Sequence, residues 1–194
     1  MFEQQLLMLK EIIHNPRDMG TFASSSRALA GEMASALSPR TMKNGTLVEV
    51  GAGTGPVTAA LLERGVPSDR LVVIEKSPAL AECLMRRFPN VNVRCCGAEE
   101  MSSCLGAAPP VTAIISSLPF RSLPKSVSIG IMEEVERTLA PGGIFVQFTY
   151  ALIGEIPCIP AAFRKVRSRL VFLNFPPAKV EVFVKPKPRR AYVD

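Results

Sequence analysis

Glycines and carboxylates in residues 47–75 follow a spacing that could bind a nucleoside. The apolar run Leu47–Val50 leads into Gly51-Ala52-Gly53-Thr54-Gly55, and a second apolar run ends at Glu75. Glycines let the backbone turn sharply and approach a ligand closely. The helix expected after them presents free N–H groups to a polar or anionic group. Because a carboxylate at the end of the second strand can accept both hydroxyls of a ribose, this segment predicts a nucleoside cofactor.

The spacing of the glycines indicates which nucleoside is bound. Dinucleotide-binding proteins use G-x-G-x-x-G, whereas here the third glycine comes one residue early and Glu49 stands two residues before the first. A carboxylate at that position would repel a pyrophosphate and suits a ligand that carries an ammonium group. The alternatives are a nicotinamide site and a strand–turn–helix that binds no ligand.

The pattern Glu-x-Gly-x-Gly-x-Gly resembles motif I of the class I S-adenosylmethionine-dependent methyltransferases. The resemblance implies a Rossmann-like α/β fold and S-adenosyl-L-methionine as the cofactor. The cofactor-binding residues expected from this reading are Glu49, Gly51, Ala52, Gly53, Thr54, Gly55, Glu75, Lys76, Ala98 and Glu99.

Predicted strands and helices alternate along the chain, which is typical of a mostly parallel sheet with helices on both faces. The predicted strands are 46–50, 71–75, 91–95, 111–116, 144–150, 169–174 and 179–184. The predicted helices are 2–14, 25–37, 56–64, 78–88, 99–105, 126–139 and one near 160–167. Because only Pro176-Pro177 and short flanks join the last two strands, we expect them to form an antiparallel hairpin. A seven-stranded sheet closed by such a hairpin is also what the resemblance implies.

The length and composition predict a single domain. A chain of 194 residues with 47% hydrophobic residues can bury one core. We expect N-terminal helices in 1–40 to cap the site, a Rossmann-like core in 46–185 and a basic tail in 186–194. No run of 18 apolar residues and no signal peptide is seen, so a cytoplasmic protein is expected.

The five cysteines show no C-x-x-C spacing, and the sequence has one histidine, His14. A metal site is therefore not expected. We predict reduced, buried thiols and give the adjacent pair Cys95-Cys96 no redox role.

The net charge of +6 is concentrated near the C-terminus. Residues 161–194 contain nine Lys or Arg against two acidic residues, whereas residues 1–160 contain 14 against 15. Such an excess predicts attraction to phosphate on lipid or nucleic acid. The alternative is a solvated tail that aids solubility.

Several further segments resemble the bacterial phospholipid N-methyltransferases, which methylate phosphatidylethanolamine toward phosphatidylcholine. They are 20–26 with Leu29-Ala30, the glycine loop, 71–78, 87–91, 116–120, 141–143, 147–150 and 174–178. The resemblance implies a lipid substrate, an anionic phospholipid membrane as partner and peripheral association with it. Two departures stand out. Cys96-Gly97-Ala98 replaces the usual Gly-Asp-Ala, so we expect Glu99 to supply the acidic contact to adenine. The alternative is that backbone groups alone hold the adenine. The N-terminal helix is also less basic than the family implies, so membrane contact would come from its apolar face or from the basic C-terminal segment.

Methyl transfer to an amine requires a positioned, neutral acceptor and no metal. The end of the fourth strand is where such folds meet their second substrate, and Ser116 and Ser117 lie there. Tyr150, after the fifth strand, could orient the amine or pass its proton to water. We therefore take Tyr150, Ser116 and Ser117 as the candidate catalytic residues.

The alternative functions are an RNA adenine N6-methyltransferase and a cofactor-binding protein or methyltransferase for a soluble amine. The adenine enzymes are similar to one another in an Asn-x-Pro-Tyr-like motif after strand four. This chain has serines there, which disfavours nucleic acid as the partner.

Overall fold

The computed structural model describes residues 20–107, 109–174 and 176–187, and the side chains of 20–26 are outside it. The helices are α1 (Gly20–Ser35), α2 (Pro39–Lys43), α3 (Pro56–Glu63), α4 (Pro78–Arg87), α5 (Met101–Leu105) and α6 (Lys125–Thr138). Two 3₁₀ turns cover Ser68–Arg70 and Ala98–Glu100. The strands are β1 (Thr46–Val50), β2 (Leu71–Glu75), β3 (Asn92–Cys95), β4 (Val111–Ser116), β5 (Leu139–Thr149), β6 (Arg164–Val171) and β7 (Ala178–Val184). The predicted helix 2–14 lies outside the described residues.

Seven strands form one sheet in the order β3-β2-β1-β4-β5-β7-β6. The first five of these pair in parallel, while β7 is antiparallel to both β5 and β6. The predicted Rossmann-like methyltransferase fold with an antiparallel C-terminal hairpin is therefore confirmed.

Both faces of the sheet are covered. Leu47 of β1 packs with Met33 of α1 and Leu61 of α3 on one face. The next residue along β1, Val48, packs with Ile131 and Val135 of α6 on the other. Alternate side chains of a strand point to opposite faces, so a strand buried on both sides has a continuous apolar sequence. This explains why β1, β2 and β4 have the bounds that the sequence predicts.

The predicted helix near 160–167 is wrong. Pro160 begins a turn that Phe163 closes by donating to its carbonyl, and β6 then pairs with β7 from Arg164 opposite Val184. β6 is one of the two edge strands of the sheet. Because most of its side chains are exposed, its sequence has no continuous apolar run. Its conformation is determined by a partner that follows later in the chain.

The prediction of reduced, buried cysteines is also wrong. Cys96 and Cys104 form a disulfide with a Cα–Cα distance of 6.7 Å. Cys83 and Cys95 are free and exposed, and Cys158 is free and half-buried. A separation of eight residues is not a recognised motif. The two thiols meet because the 3₁₀ turn Ala98–Glu100 folds the chain back before α5.

No helix in the described ranges is long and apolar enough to cross a bilayer. The proposed division into 1–40, 46–185 and 186–194 stays a prediction.

Candidate active site

The glycine loop connects β1 to α3 and faces open space at its centre. Gly51 adopts φ +71°, and a Cβ there would overlap Leu118 Cδ2. Gly53 adopts φ +59°, and a Cβ there would meet no described atom within 4 Å. Positive φ favours glycine at both positions. The loop therefore packs closely against the chain at Gly51 and leaves its backbone accessible to a ligand at Gly53.

Glu75 joins the end of β2 to this loop. Its side chain is almost buried, at 8% exposure. Oε2 accepts the N–H of Gly53 at 2.9 Å, and Oε1 accepts the N–H of Ser77 at 2.9 Å. A carboxylate has about four acceptor positions, so each oxygen can accept a further hydroxyl proton. The carboxylate thus lies beside the open part of the loop with its acceptor capacity half used.

Glu49 is fully buried beneath the loop. The hydroxyl of Thr58 in α3 donates to Oε2 at 2.6 Å. Its other oxygen, Oε1, has no hydrogen-bond partner within the described ranges. Burial raises the pKa of this carboxyl group to about 7, and the nearby charge of Glu75 adds to the rise while the Thr58 bonds oppose it. A buried carboxyl with an unused oxygen is suited to accept from a cationic donor.

The loop forms one wall of a cavity of about 240 Å³, here called the loop cavity. Ser117 and the rings of Phe148 and Tyr150 form the opposite wall, and α1 contributes Leu29, Ala30 and Met33. The hydroxyl of Ser117 is buried and has no hydrogen-bond partner in the described structure. Ser116 does not line this cavity: it is fully buried, and its hydroxyl accepts the N–H of Leu118 at 3.3 Å.

A second cavity of about 190 Å³, here called the side cavity, lies behind the same two rings. Phe148 and Tyr150 meet edge to face with their centroids 5.3 Å apart and line both cavities. Phe120 and Arg121 line the side cavity from the chain segment after β4. The two cavities therefore share an aromatic wall formed by Phe148 and Tyr150.

Tyr150 keeps its proton in this setting. Its ring is about half exposed, and burial of the remainder raises the pKa of its hydroxyl, while a hydrogen bond with Asn174 opposes the rise. The phenol is therefore neutral near pH 7, and its hydroxyl can both donate and accept a hydrogen bond.

The segment after β3 places the Glu99 carboxylate next to Gly97. A Cβ built on Gly97 would lie 2.7 to 2.8 Å from the carboxylate atoms of Glu99. The Glu99 carboxylate thus occupies the space that a side chain at residue 97 would fill. Lys76 donates to Glu99 at 2.6 Å, and this bond lowers the pKa of the Glu99 carboxyl. Neither side chain lines the loop cavity, and Ala98 is buried beneath them.

Phe148, Arg121 and the α1 side chains were not among the predicted site residues. The sequence feature that could have identified Phe148 is the segment Gln147-Phe148-Thr149-Tyr150, which also contains the predicted site residue Tyr150. Gln147 points to the chain after β4, donating to the carbonyl of Leu118 at 2.8 Å. Which of two alternating residues lines a cavity depends on strand register, and the sequence pattern alone does not contain it.

Comparison with known proteins identifies the family. A sequence model described as a methyltransferase domain matches residues 47–143, half of the chain, and includes the glycine loop and Glu75. The chain belongs to the S-adenosylmethionine-dependent methyltransferases. The ornithine lipid N-methyltransferase of Singulisphaera acidiphila is 32% identical over 142 residues, which cover 68% of this chain and 71% of that one.

Solved structures agree on the fold of this methyltransferase. The 1,6-didemethyltoxoflavin-N1-methyltransferase of Burkholderia thailandensis, with its substrate and S-adenosylhomocysteine bound, superposes with a TM-score of 0.66 at 16% identity. The match covers 95% of this chain and 90% of that one. The N-methyltransferase NodS of Bradyrhizobium japonicum in complex with S-adenosylhomocysteine gives 0.61 at 17% identity, covering 74% and 79%.

S-adenosylmethionine is the cofactor of this methyltransferase, and the residues present fit it. The open backbone at Gly53 permits close approach, and Glu75 retains acceptor capacity beside it. The unpaired buried Oε1 of Glu49 has the chemistry to receive an ammonium group. Within the described ranges, no three His, Cys, Asp or Glu side chains are grouped as a metal site would require.

Proposed function

We propose that this methyltransferase transfers a methyl group to the amine of a membrane lipid headgroup, with phosphatidylethanolamine as the first acceptor to test. The observation that carries the proposal is the 32% identity to an enzyme named for N-methylation of ornithine lipid. The sequence resemblance to phospholipid N-methyltransferases supports the same class of acceptor. Ornithine lipid is the second candidate, since the name of that relative favours it.

For this reaction the protein must position the methyl donor and the amine, and no side chain has to take up the proton that is released. The bound cofactor supplies an electrophilic methyl group on its sulfonium. The amine forms the new N–C bond as the S–C bond breaks, and the product ammonium then releases one proton to water. An alkylammonium with a pKa of about 10.4 must first lose a proton, which costs roughly 4 to 5 kcal/mol at pH 7.

Within the proposal, Tyr150 and Ser117 hold the neutral amine. Both border the loop cavity, and the buried Ser117 hydroxyl has no hydrogen-bond partner among the described residues. The neutral Tyr150 hydroxyl can accept a hydrogen bond from the amine and donate to water. Ser116, which bonds to Leu118 instead, is given no catalytic role here, although the sequence included it.

We assign the cofactor contacts by the chemistry of each group. In this assignment the Glu75 carboxylate accepts hydrogen bonds from the ribose hydroxyls. Glu49 accepts from the ammonium of the methionine part, and Glu99 accepts from the adenine amino group. Gly51, Ala52, Gly53, Thr54 and Gly55 supply the backbone that approaches the cofactor, and Ala98 lies below the adenine. Lys76 orients Glu99 through their ion pair.

Radiolabelled methyl transfer tests this proposal. Purified enzyme is incubated with labelled S-adenosylmethionine and vesicles that contain phosphatidylethanolamine, ornithine lipid or neither, and in parallel with RNA and with free ethanolamine. We expect label in the lipid fraction. Label in RNA would favour the adenine-methylating alternative, and label in ethanolamine without lipid would favour a soluble amine.

A further inference from the structure

Two connections meet at the edge of the sheet where the loop cavity opens. β5 ends at Thr149, which pairs with Lys179 near the start of β7, and β6 ends at Val171 opposite Ala178. Residues 150–154 and the described residues of the connection 172–177 therefore both extend from the carboxyl edge of the parallel strands. This is the edge at which Tyr150 lines both cavities.

Large apolar side chains are exposed on these two connections. Ile153 is 91% exposed, Leu173 82% and Phe172 72%, and Leu152 is about half exposed. Soluble surfaces rarely group several such residues, and a rimmed apolar patch marks an interaction site. We call these four residues, Leu152, Ile153, Phe172 and Leu173, the apolar rim.

The backbone beneath the apolar rim is held in place by buried polar contacts. Lys179 in β7 donates to the carbonyl of Gly154 at 3.0 Å, which ties one connection to the sheet. Asn174 is buried and donates to the carbonyl of Pro176 at 2.7 Å within the other. Hydrogen bonds therefore tie the backbone of both connections next to the exposed hydrophobic side chains.

Positive charge flanks the apolar rim. Arg121 donates to the carbonyl of Glu155 at 3.3 Å, beside Gly154. Arg169 is exposed on the edge strand β6, two residues before its end. Neither arginine has an acidic ion-pair partner among the described side chains. Neither connection contains an acidic residue in the sequence, and Glu155 directly follows the first one. Apolar tips between cationic side chains complement the boundary between anionic headgroups and acyl chains.

We propose that the apolar rim inserts into the interfacial region of an anionic bilayer and so places the side cavity against the membrane. This inference rests on the proposed function, since a lipid acceptor must bring its amine to Tyr150 while its acyl chains stay in the bilayer. Arg121, which lines the side cavity and flanks the rim, would meet the anionic part of the headgroup.

Vesicle flotation tests the surface with the full chain. The triple variant I153S/F172S/L173S is compared with wild type on vesicles of phosphatidylcholine with and without phosphatidylglycerol. The matched control is M85S/I129S, which removes apolar side chains exposed on α4 and α6. We expect the rim variant to lose at least tenfold in partitioning, the control to stay within twofold of wild type, and S-adenosylhomocysteine affinity and thermal midpoint to be unchanged in both.

Three outcomes would contradict the proposed membrane surface. The wild type does not bind vesicles, the rim variant floats like the wild type, or the control variant loses as much vesicle binding as the rim variant. A wild-type dimer that the rim variant abolishes would assign the patch to a second copy instead. The proposed function is judged separately by lipid methylation. If wild type binds vesicles through the rim but labels no lipid amine, the function fails and the surface stands. If it labels lipid while the rim variant still floats, the surface fails and the function stands.

Discussion

The fold makes the carboxyl group of Glu49 a weaker acid than an exposed glutamate. Its pKa is raised from 4.5 to about 7, chiefly by burial. A raised carboxyl pKa means that the folded state binds the proton more tightly than the unfolded chain. Its contribution is therefore fully favourable below about pH 4.5 and is lost as the pH rises to 7 and above. Two and a half pKa units correspond to about 3 kcal/mol.

We predict that Glu49→Gln flattens the pH dependence of stability between pH 4.5 and 7.5. Wild type should lose about 3 kcal/mol of unfolding free energy across this window relative to the variant. Urea unfolding at several pH values measures it, and Glu82→Gln, which changes an exposed carboxylate, should follow wild type. Parallel curves for wild type and Glu49→Gln would show that Glu49 is ionised in the folded state.

Glu75 and Gly53 should be the largest single contributors to cofactor affinity. Removing a carboxylate that accepts from charged or polar donors costs about 1.5 to 3 kcal/mol, so Glu75→Ala should weaken S-adenosylhomocysteine binding at least tenfold. Gly53→Val places a branched side chain at φ +59° and in the ligand's path, with a similar loss expected. Calorimetry measures both against Glu82→Ala, and wild-type affinity in either variant would remove that residue from the site.

We expect the Glu99 carboxylate to make the contact to adenine that an acidic side chain at residue 97 would otherwise make. We predict that Glu99→Ala weakens S-adenosylhomocysteine binding about tenfold, whereas the neighbouring exposed Glu100→Ala does not. Because the Glu99 carboxylate fills the space above Gly97, the double variant G97D/E99A should regain most of the affinity, and Gly97→Asp alone should not improve it. A double variant as weak as Glu99→Ala would contradict the exchange.

At the scale of elements, the disulfide closes a short loop around the segment that carries Glu99. Cys96 and Cys104 enclose the 3₁₀ turn Ala98–Glu100 and most of α5. A cross-link over eight residues removes loop entropy from the unfolded chain, worth about 2.5 kcal/mol in the chain-entropy description.

We predict that C96S/C104S lowers the urea midpoint by an amount equivalent to about 2 to 3 kcal/mol. Reducing agent should do the same to wild type and nothing further to the double variant. C83S/C95S, which removes two exposed free thiols, serves as the control. If reductant leaves the wild-type midpoint unchanged, the bond contributes nothing to stability.

The parts of the fold that the sequence predicted are those whose burial is local. β1, β2 and β4 are covered on both faces, so their apolar runs mark their ends. The glycine loop and Glu75 follow directly from two such strands. The predicted strand 169–174 overlaps only the end of β6. The first half of β6 could not be predicted in this way, because residues 164–168 are mostly exposed and pair with a strand that follows later in the chain. The aromatic wall of Phe148 and Tyr150 could not be predicted without the register of β5. The position of the Glu99 carboxylate beside Gly97 could not be predicted without the conformation of the 3₁₀ turn Ala98–Glu100.

At the scale of the whole molecule, less of the C-terminal charge is available than its count implies. Arg167 is bound to Glu32 and Ser35 of α1. Lys165 and Lys179 both pair with the buried Glu181. Lys185 donates to carbonyls at the end of α6 and the start of β5. Besides Lys185, the described basic residues after 160 that have no ion-pair partner among the described side chains are Arg164, Arg169 and Lys187.

We predict that R121Q/R169Q weakens binding to anionic vesicles about 30-fold at low salt, since each basic residue near such a surface contributes about 1 kcal/mol. The loss should shrink as salt rises, because screening removes the attraction. The control K43Q/R164Q removes exposed charges at the opposite edge of the sheet and should change binding less. Equal losses would mean that net charge, and not its position, drives association. The role expected for helix 2–14 stays a prediction outside the described residues.

The position of β7 between β5 and β6 has a consequence for synthesis of the chain. β6 pairs with β7 alone, yet a ribosome makes β6 first. Until residues 178–184 are available, β6 has no strand to pair with. The hydrogen-bonding edge of β5 is then unpaired and can bind another strand. The nascent chain can thus complete the parallel half of the sheet, with the glycine loop, before its antiparallel half exists. A chain truncated before residue 178 would contain the cofactor loop and all the parallel strands from β1 to β5, but it would lack the strand that pairs with both β5 and β6.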